Sequence, residues 1–156
     1  MLPIAQALGE KDFTLLELVP RRGIALIIGE KVYIGEGKRD KISYIIGRLN
    51  KEKITESAKN QLQEEIKKIV KDSEKRFVEF FNKAEAINKR LHQIELIPGL
   101  GKKHMQEILK QREEKQFDSF EEMKKRMQNF PDPEKAIEKR IFQELTKMER
   151  YNLFVR

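Results

Sequence analysis

Residues Ile94-Glu95-Leu96-Ile97-Pro98-Gly99-Leu100-Gly101-Lys102-Lys103 leave the backbone few courses. Gly99 and Gly101 reach backbone angles closed to other residues and carry no Cβ to block an approaching group. The order predicts a helix end, a tight glycine-bearing hairpin and a new helix start carrying two lysines. Such a start suits a phosphate. The first amides of a helix have no acceptor inside it, and the helix dipole adds partial positive charge there. Lys102 and Lys103 bring full charges to the same spot.

Leu96, Ile97, Pro98, Gly99, Leu100, Gly101 and Lys102 resemble the hairpin of the helix-hairpin-helix module: hydrophobic-Pro-Gly-hydrophobic-Gly followed by a basic residue. The resemblance implies that the hairpin amides grip a nucleic-acid backbone phosphate without reading bases. The expected nucleic-acid-binding residues are Pro98, Gly99, Leu100, Gly101, Lys102 and Lys103.

Apolar spacing supports helices on both sides. From 56 to 93, Leu62, Ile66, Ile69, Val70, Phe77, Phe80, Phe81, Ala84, Ile87 and Leu91 recur three and four apart, with Asp72-Ser73 at a break between two helices. Met105, Ile108 and Leu109 line the helix after Lys103. Ser119 and Glu122 have capping-box spacing and predict a helix from Phe120. Asp132 before Pro133 predicts another, with Ile137, Ile141, Leu145 and Met148 on its apolar stripe. This order resembles a tandem pair of helix-hairpin-helix units. The second turn, Asn129-Phe130-Pro131-Asp132-Pro133, has no glycine, two prolines without an N–H and a carboxylate that repels phosphate. It reads as a degenerate, structural hairpin.

The first third reads as short strands: Phe13 to Val19, Ala25 to Ile28, Val32 to Gly35 and Ile42 to Leu49, separated by glycine-bearing turns. Closely spaced short strands suggest a small β-barrel, either like an oligonucleotide-binding fold or SH3-like. The expected class is α+β: a small barrel over 1–55, connecting helices over 56–83 and a helix-hairpin-helix domain over 84–156.

Lysine and arginine number 33 against 26 acidic residues, a net charge of +7, which favours a polyanionic partner. The absence of cysteine removes disulfides, thiol nucleophiles and cysteine metal sites, and fits a cytoplasmic location. No apolar run has the roughly 18 residues of a membrane span. His92 and His104 lack zinc-ligand spacing, and no Gly-Lys-Ser/Thr ends a glycine loop, so neither a metal nor a nucleotide cofactor is expected. Some DNA glycosylases carry a similar hairpin, but Glu107 and Asp118 have no identifiable pocket, and no enzyme is predicted.

Phe13 to Pro20, Gly29 to Gly35, Arg76 to Asn82, Arg90 to Gln93 and the hairpin are together similar to an archaeal family of unknown function, number 655 in the domain-of-unknown-function series. Its members are described as predicted RNA-binding proteins. The resemblance implies a barrel followed by helix-hairpin-helix elements, the barrel being incomplete if a strand found before the part matching Met1 in other members is missing. Further phosphate contacts are expected from Arg90, His92, Lys124, Lys125, Arg126, Arg21 and Arg22. Lys38, Arg39, Arg48, Lys51 and Lys53 are other surface cations. The functional expectation is a non-enzymatic nucleic-acid-binding protein, RNA before duplex DNA, with a protein-interaction module or accessory subunit of a ribosomal or repair assembly as the competing class.

Overall fold

The computed structural model describes residues 3–156 and is mixed α+β. Three antiparallel strands, β1 (Ala5–Leu8), β2 (Leu15–Pro20) and β3 (Ile42–Arg48), form one sheet in that order. Helices α1 (Glu56–Asp72) and α2 (Glu74–Lys83) follow, then a two-stranded hairpin, β4 (Ala86–Asn88) with β5 (Leu91–His92). A 3-10 turn (Gln93–Leu96) leads to α3 (Lys102–Glu114), α4 (Phe120–Arg126) and α5 (Pro133–Thr146). The chain divides into two compact units, one of Met1–Glu65 with Leu145–Arg156, the other of Ile66–Glu144.

In the first unit the sheet is open, and the expected closed barrel is not formed among the described residues. Two of the four expected strands are absent. Ala25 to Ile28 runs into a turn in which Glu30 N–H donates to the Ile27 carbonyl at 3.1 Å and the Glu30 carboxylate accepts the Ile27 amide at 2.7 Å. Ile27 and Ile28 are 75% and 79% exposed, so this run has no sheet face to bury against. Val32 to Gly35 is likewise loop, because Tyr33 folds onto the glycines that follow it. β2 starts two residues later than the sequence suggested, since buried Phe13 takes φ 56°, outside strand geometry. β1, Ala5-Gln6-Ala7-Leu8, carries little strand signal of its own, because it has two alanines and no β-branched or aromatic residue. Its register, Ala5 against Leu18 through Leu8 against Leu15, is fixed by a tight connection in which Gly9 N–H bonds the Thr14 carbonyl at 2.9 Å. The C-terminal tail returns to this connection: Arg156 N–H donates to the Asp12 carbonyl at 3.0 Å, and Phe154 and Val155 are buried.

In the second unit Phe77, Phe81, Ile94, Ile97, Ile108, Met123, Ile137 and Ile141 are at most 1% exposed. Each contributes roughly 1.5–3 kcal/mol by burial. The break between α1 and α2 falls at Ser73, as expected, though its hydroxyl makes no cap bond. The helical expectation for 84–93 fails. Ala84 leaves α2 with φ −56° and ψ 144°, and Asn88 Oδ1 accepts the Arg90 amide at 2.8 Å to turn the chain into β5. Ile87 and Leu91 are four apart in sequence but sit on opposite arms of this hairpin.

Both later caps form as read. Ser119 Oγ accepts the Glu122 amide at 3.0 Å, and Asp132 Oδ1 accepts those of Glu134 and Lys135 at 3.0 and 3.3 Å. Met148 lies beyond α5 and is 91% exposed, so it is not part of the apolar stripe. Buried Asn82 acts as a surrogate peptide. Its amide donates to the Phe117 carbonyl and its oxygen accepts the Phe117 N–H, at 2.9 and 2.8 Å, fastening α2 to the segment between α3 and α4.

Candidate nucleic-acid interface

The hairpin is a β-turn over Ile97 to Leu100, closed by Leu100 N–H donating to the Ile97 carbonyl at 3.1 Å. Pro98 and Gly99 occupy its central positions, and Gly99 has φ +84°, the sign a type II turn requires there. Space does not demand this glycine, since a Cβ would meet nothing within 4 Å; the backbone angle does.

Gly101 is different. It is the N-cap of α3 with φ −99° and ψ −167°, open to any residue, and a Cβ there also meets nothing within 4 Å. Having no side chain, Gly101 supplies no oxygen to the helix-start amides. The reverse bond does form, with Gly101 N–H donating to His104 Nδ1 at 3.0 Å. Among the described residues, the amides of Gly99, Lys102, Lys103 and His104 find no acceptor. They leave the exposed start of a 13-residue helix able to take an anion.

The two lysines are unlike. Lys102 Nζ turns back to Glu95 Oε1 at 3.0 Å and to the Arg90 carbonyl at 3.3 Å. Glu95 Oε2 also accepts the His92 amide at 2.7 Å. The Lys102 bond, and next the His92 amide, hold the Glu95 carboxyl below its usual range. Lys103 is exposed and makes no ion pair among the described residues.

His92 is buried, and its Nδ1 accepts the Ile94 amide at 3.1 Å, capping the 3-10 turn. Burial, and then the charge of Arg112, keep its pKa below the ordinary histidine value, so the ring is the neutral acceptor this cap needs. The His92-x-x-Glu95 pair is a reciprocal cap whose spacing is visible in the sequence. Arg90 is exposed at the β4–β5 turn, and its carbonyl meets Lys102. Behind the hairpin, Arg140 of α5 reaches the Leu96 carbonyl at 3.3 Å. The second turn packs against the first through Phe130, whose ring meets His104 edge-on at 5.3 Å. Asn129 there takes φ 56°, standing in for the missing glycine. Burial pushes the Asp132 carboxyl up, but the amides of Lys135 and Glu134 and the ammonium of Lys124 outweigh it and hold it low.

The cations of α4 are engaged. Lys124 pairs with Asp132 at 3.2 Å and Lys125 with Glu121 at 3.4 Å. Arg126 bonds the Gln111 carbonyl and Glu122, and stacks over Phe117 at 4.6 Å, binding the end of α3 to α4. Arg21 and Arg22 belong to the first unit: Arg21 Nε donates to the Arg39 carbonyl at 2.7 Å, and Arg22 is exposed in the adjoining turn. Lys38, Arg48 and Lys53 are exposed in the same unit, and Lys51 Nζ donates to the Lys147 carbonyl at 3.3 Å. The described residues contain no group of three histidine, aspartate or glutamate side chains placed to hold a metal, and no helix long and apolar enough to cross a membrane.

The chain belongs to the family of proteins of unknown function designated DUF655, whose model matches residues 1–156. It is similar to an uncharacterised protein of Methanocaldococcus jannaschii, 42% identical over 156 residues that cover 99% of this chain and 71% of the relative. It is also similar to the crystal structure of Af1531 from Archaeoglobus fulgidus. There the identity is 42% and the TM-score 0.90, over 99% of this chain and 86% of the other.

Proposed function

We propose that the chain is a non-enzymatic nucleic-acid-binding protein that holds a backbone phosphate at the turn from Gly99 into α3. The observation that carries the reading is Gly101, where neither backbone angle nor packing calls for glycine. What glycine leaves there is an uncapped, open helix start beside the exposed Lys103. On this reading the segment from the 3-10 turn to α5 is a tandem helix-hairpin-helix arrangement, whose second turn, filled by Phe130 and two prolines, only supports the first. Lys103 supplies the neutralising charge; Lys102, tied to Glu95, mainly positions the helix start. RNA is the preferred polymer, on the strength of the family resemblance. Phosphate contacts carry no sequence code directly, so recognition is by shape.

The test is fluorescence anisotropy of labelled duplex RNA, single-stranded RNA and duplex DNA over a salt series. Affinity is expected to fall steeply with salt, and Lys103→Glu to weaken binding and flatten the salt slope by about one unit. Lys103→Glu is a cleaner variant than Lys102→Glu, which would set a second carboxylate against Glu95. Failure of the folded protein to bind any probe at low salt would remove this reading and leave the hairpin as a scaffold for a protein partner.

A further inference from the structure

Tyr33 in the first unit is exposed yet fixed. Its hydroxyl accepts the Gly37 amide at 3.1 Å, and its ring lies against the loop through Gly35. A Cβ at Gly35 would stand 2.5 Å from Tyr33 Cζ and 2.7 Å from Cε2, so glycine at 35 is what lets the ring lie down. Tyr33 is 57% exposed even so, and more than half of the residue stays accessible to a ligand. Two guanidinium groups are wired to this loop. Arg39 Nε donates to the Gly35 carbonyl at 3.0 Å, and Arg21 Nε donates to the Arg39 carbonyl at 2.7 Å. Each uses its inner nitrogen, and among the described residues neither forms an ion pair. Arg22 and Lys38 are exposed beside them; Glu36 and Asp40 are the exposed carboxylates of the same loop.

We infer that Tyr33 is a stacking platform for an unpaired nucleobase of a single-stranded nucleic acid, with Arg39 and Arg21 receiving the flanking phosphates. A flat ring already held in place loses little freedom when a base stacks on it. Guanidinium groups with outward nitrogens free suit phosphate oxygens. A paired base keeps its faces within the duplex, so this site selects single strands. The inference rests on the nucleic-acid reading above and names a polymer form that the hairpin does not distinguish.

The protein has no tryptophan, so Tyr33→Trp introduces a sole indole reporter. Titration with a short oligouridylate or oligothymidylate is expected to quench its fluorescence, and a duplex of equal length to leave it unchanged. In anisotropy, Tyr33→Ala should lose about tenfold or more in single-strand affinity with duplex affinity retained, while Tyr33→Phe, which keeps the ring but not the Gly37 bond, should lose less than Tyr33→Ala. The two oligonucleotides separate RNA from DNA. If Tyr33→Ala binds single strands as tightly as wild type while Lys103→Glu weakens duplex binding, the platform is wrong and the hairpin stands. If the wild type binds neither form, both fall together.

Discussion

A Glu144→Ala variant is expected to lose about 3–5 kcal/mol of folding stability. Glu144 is 0% exposed and Arg140 5%, and Arg140 Nε donates to Glu144 Oε2 at 2.8 Å one turn earlier on α5. Removing the carboxylate deletes the buried acceptor of the Arg140 Nε–H and half of a buried ion pair. Against a total stability of about 5–15 kcal/mol, typical of a domain this size, the loss would leave the fold marginal. The same guanidinium reaches the Leu96 carbonyl just ahead of the hairpin, so the variant should also loosen the candidate site. Replacing both residues by leucine should cost less than the single change, because two well-packed apolar side chains need no countercharge. Urea unfolding midpoints of the three proteins decide this. A Glu144→Ala midpoint equal to wild type would mean that the pair does not hold α5.

The second large effect separates stability from binding at one residue. Gly101→Asp should leave folding unchanged or raise it by a few tenths of a kcal/mol. Its backbone angles are open to aspartate, a Cβ meets nothing within 4 Å, and aspartate is a better N-cap than glycine. The new carboxylate would occupy the helix-start amides that we assign to phosphate. Loss of about two charge-assisted hydrogen bonds, at roughly 1.5–3 kcal/mol each, predicts nucleic-acid affinity reduced on the order of a hundredfold or more. Thermal melting beside anisotropy reads both halves. A variant that melts like wild type and binds like wild type would show that the phosphate sits elsewhere.

What the sequence disclosed was local. The Pro98-Gly99 turn, the Ser119 and Asp132 caps and the start of α5 at Pro133 each depend on residues within three or four positions, and each forms as read. Periodicity failed where a short hairpin imitated a helix, Ile87 and Leu91 having helical spacing on opposite arms. It failed again where four apolar residues, Ala25 to Ile28, met no partner strand. Pairing across distance was also hidden. Nothing near Lys102 in sequence announces that its charge is taken by Glu95, nor that Arg126 is spent on a carbonyl 15 residues earlier. Asn82 bonds a peptide 35 residues away. The candidate site was therefore legible as a motif, while the division of labour between Lys102 and Lys103 came only from the fold.

The most direct test of the phosphate grip is a nitrogen-15 amide titration with a short RNA duplex at low salt. The account predicts that the largest shift changes fall on Gly99, Lys102, Lys103 and His104. Gly101 should respond less, because its N–H is already held by His104 Nδ1. Binding that leaves these four amides unmoved and shifts another surface would contradict it.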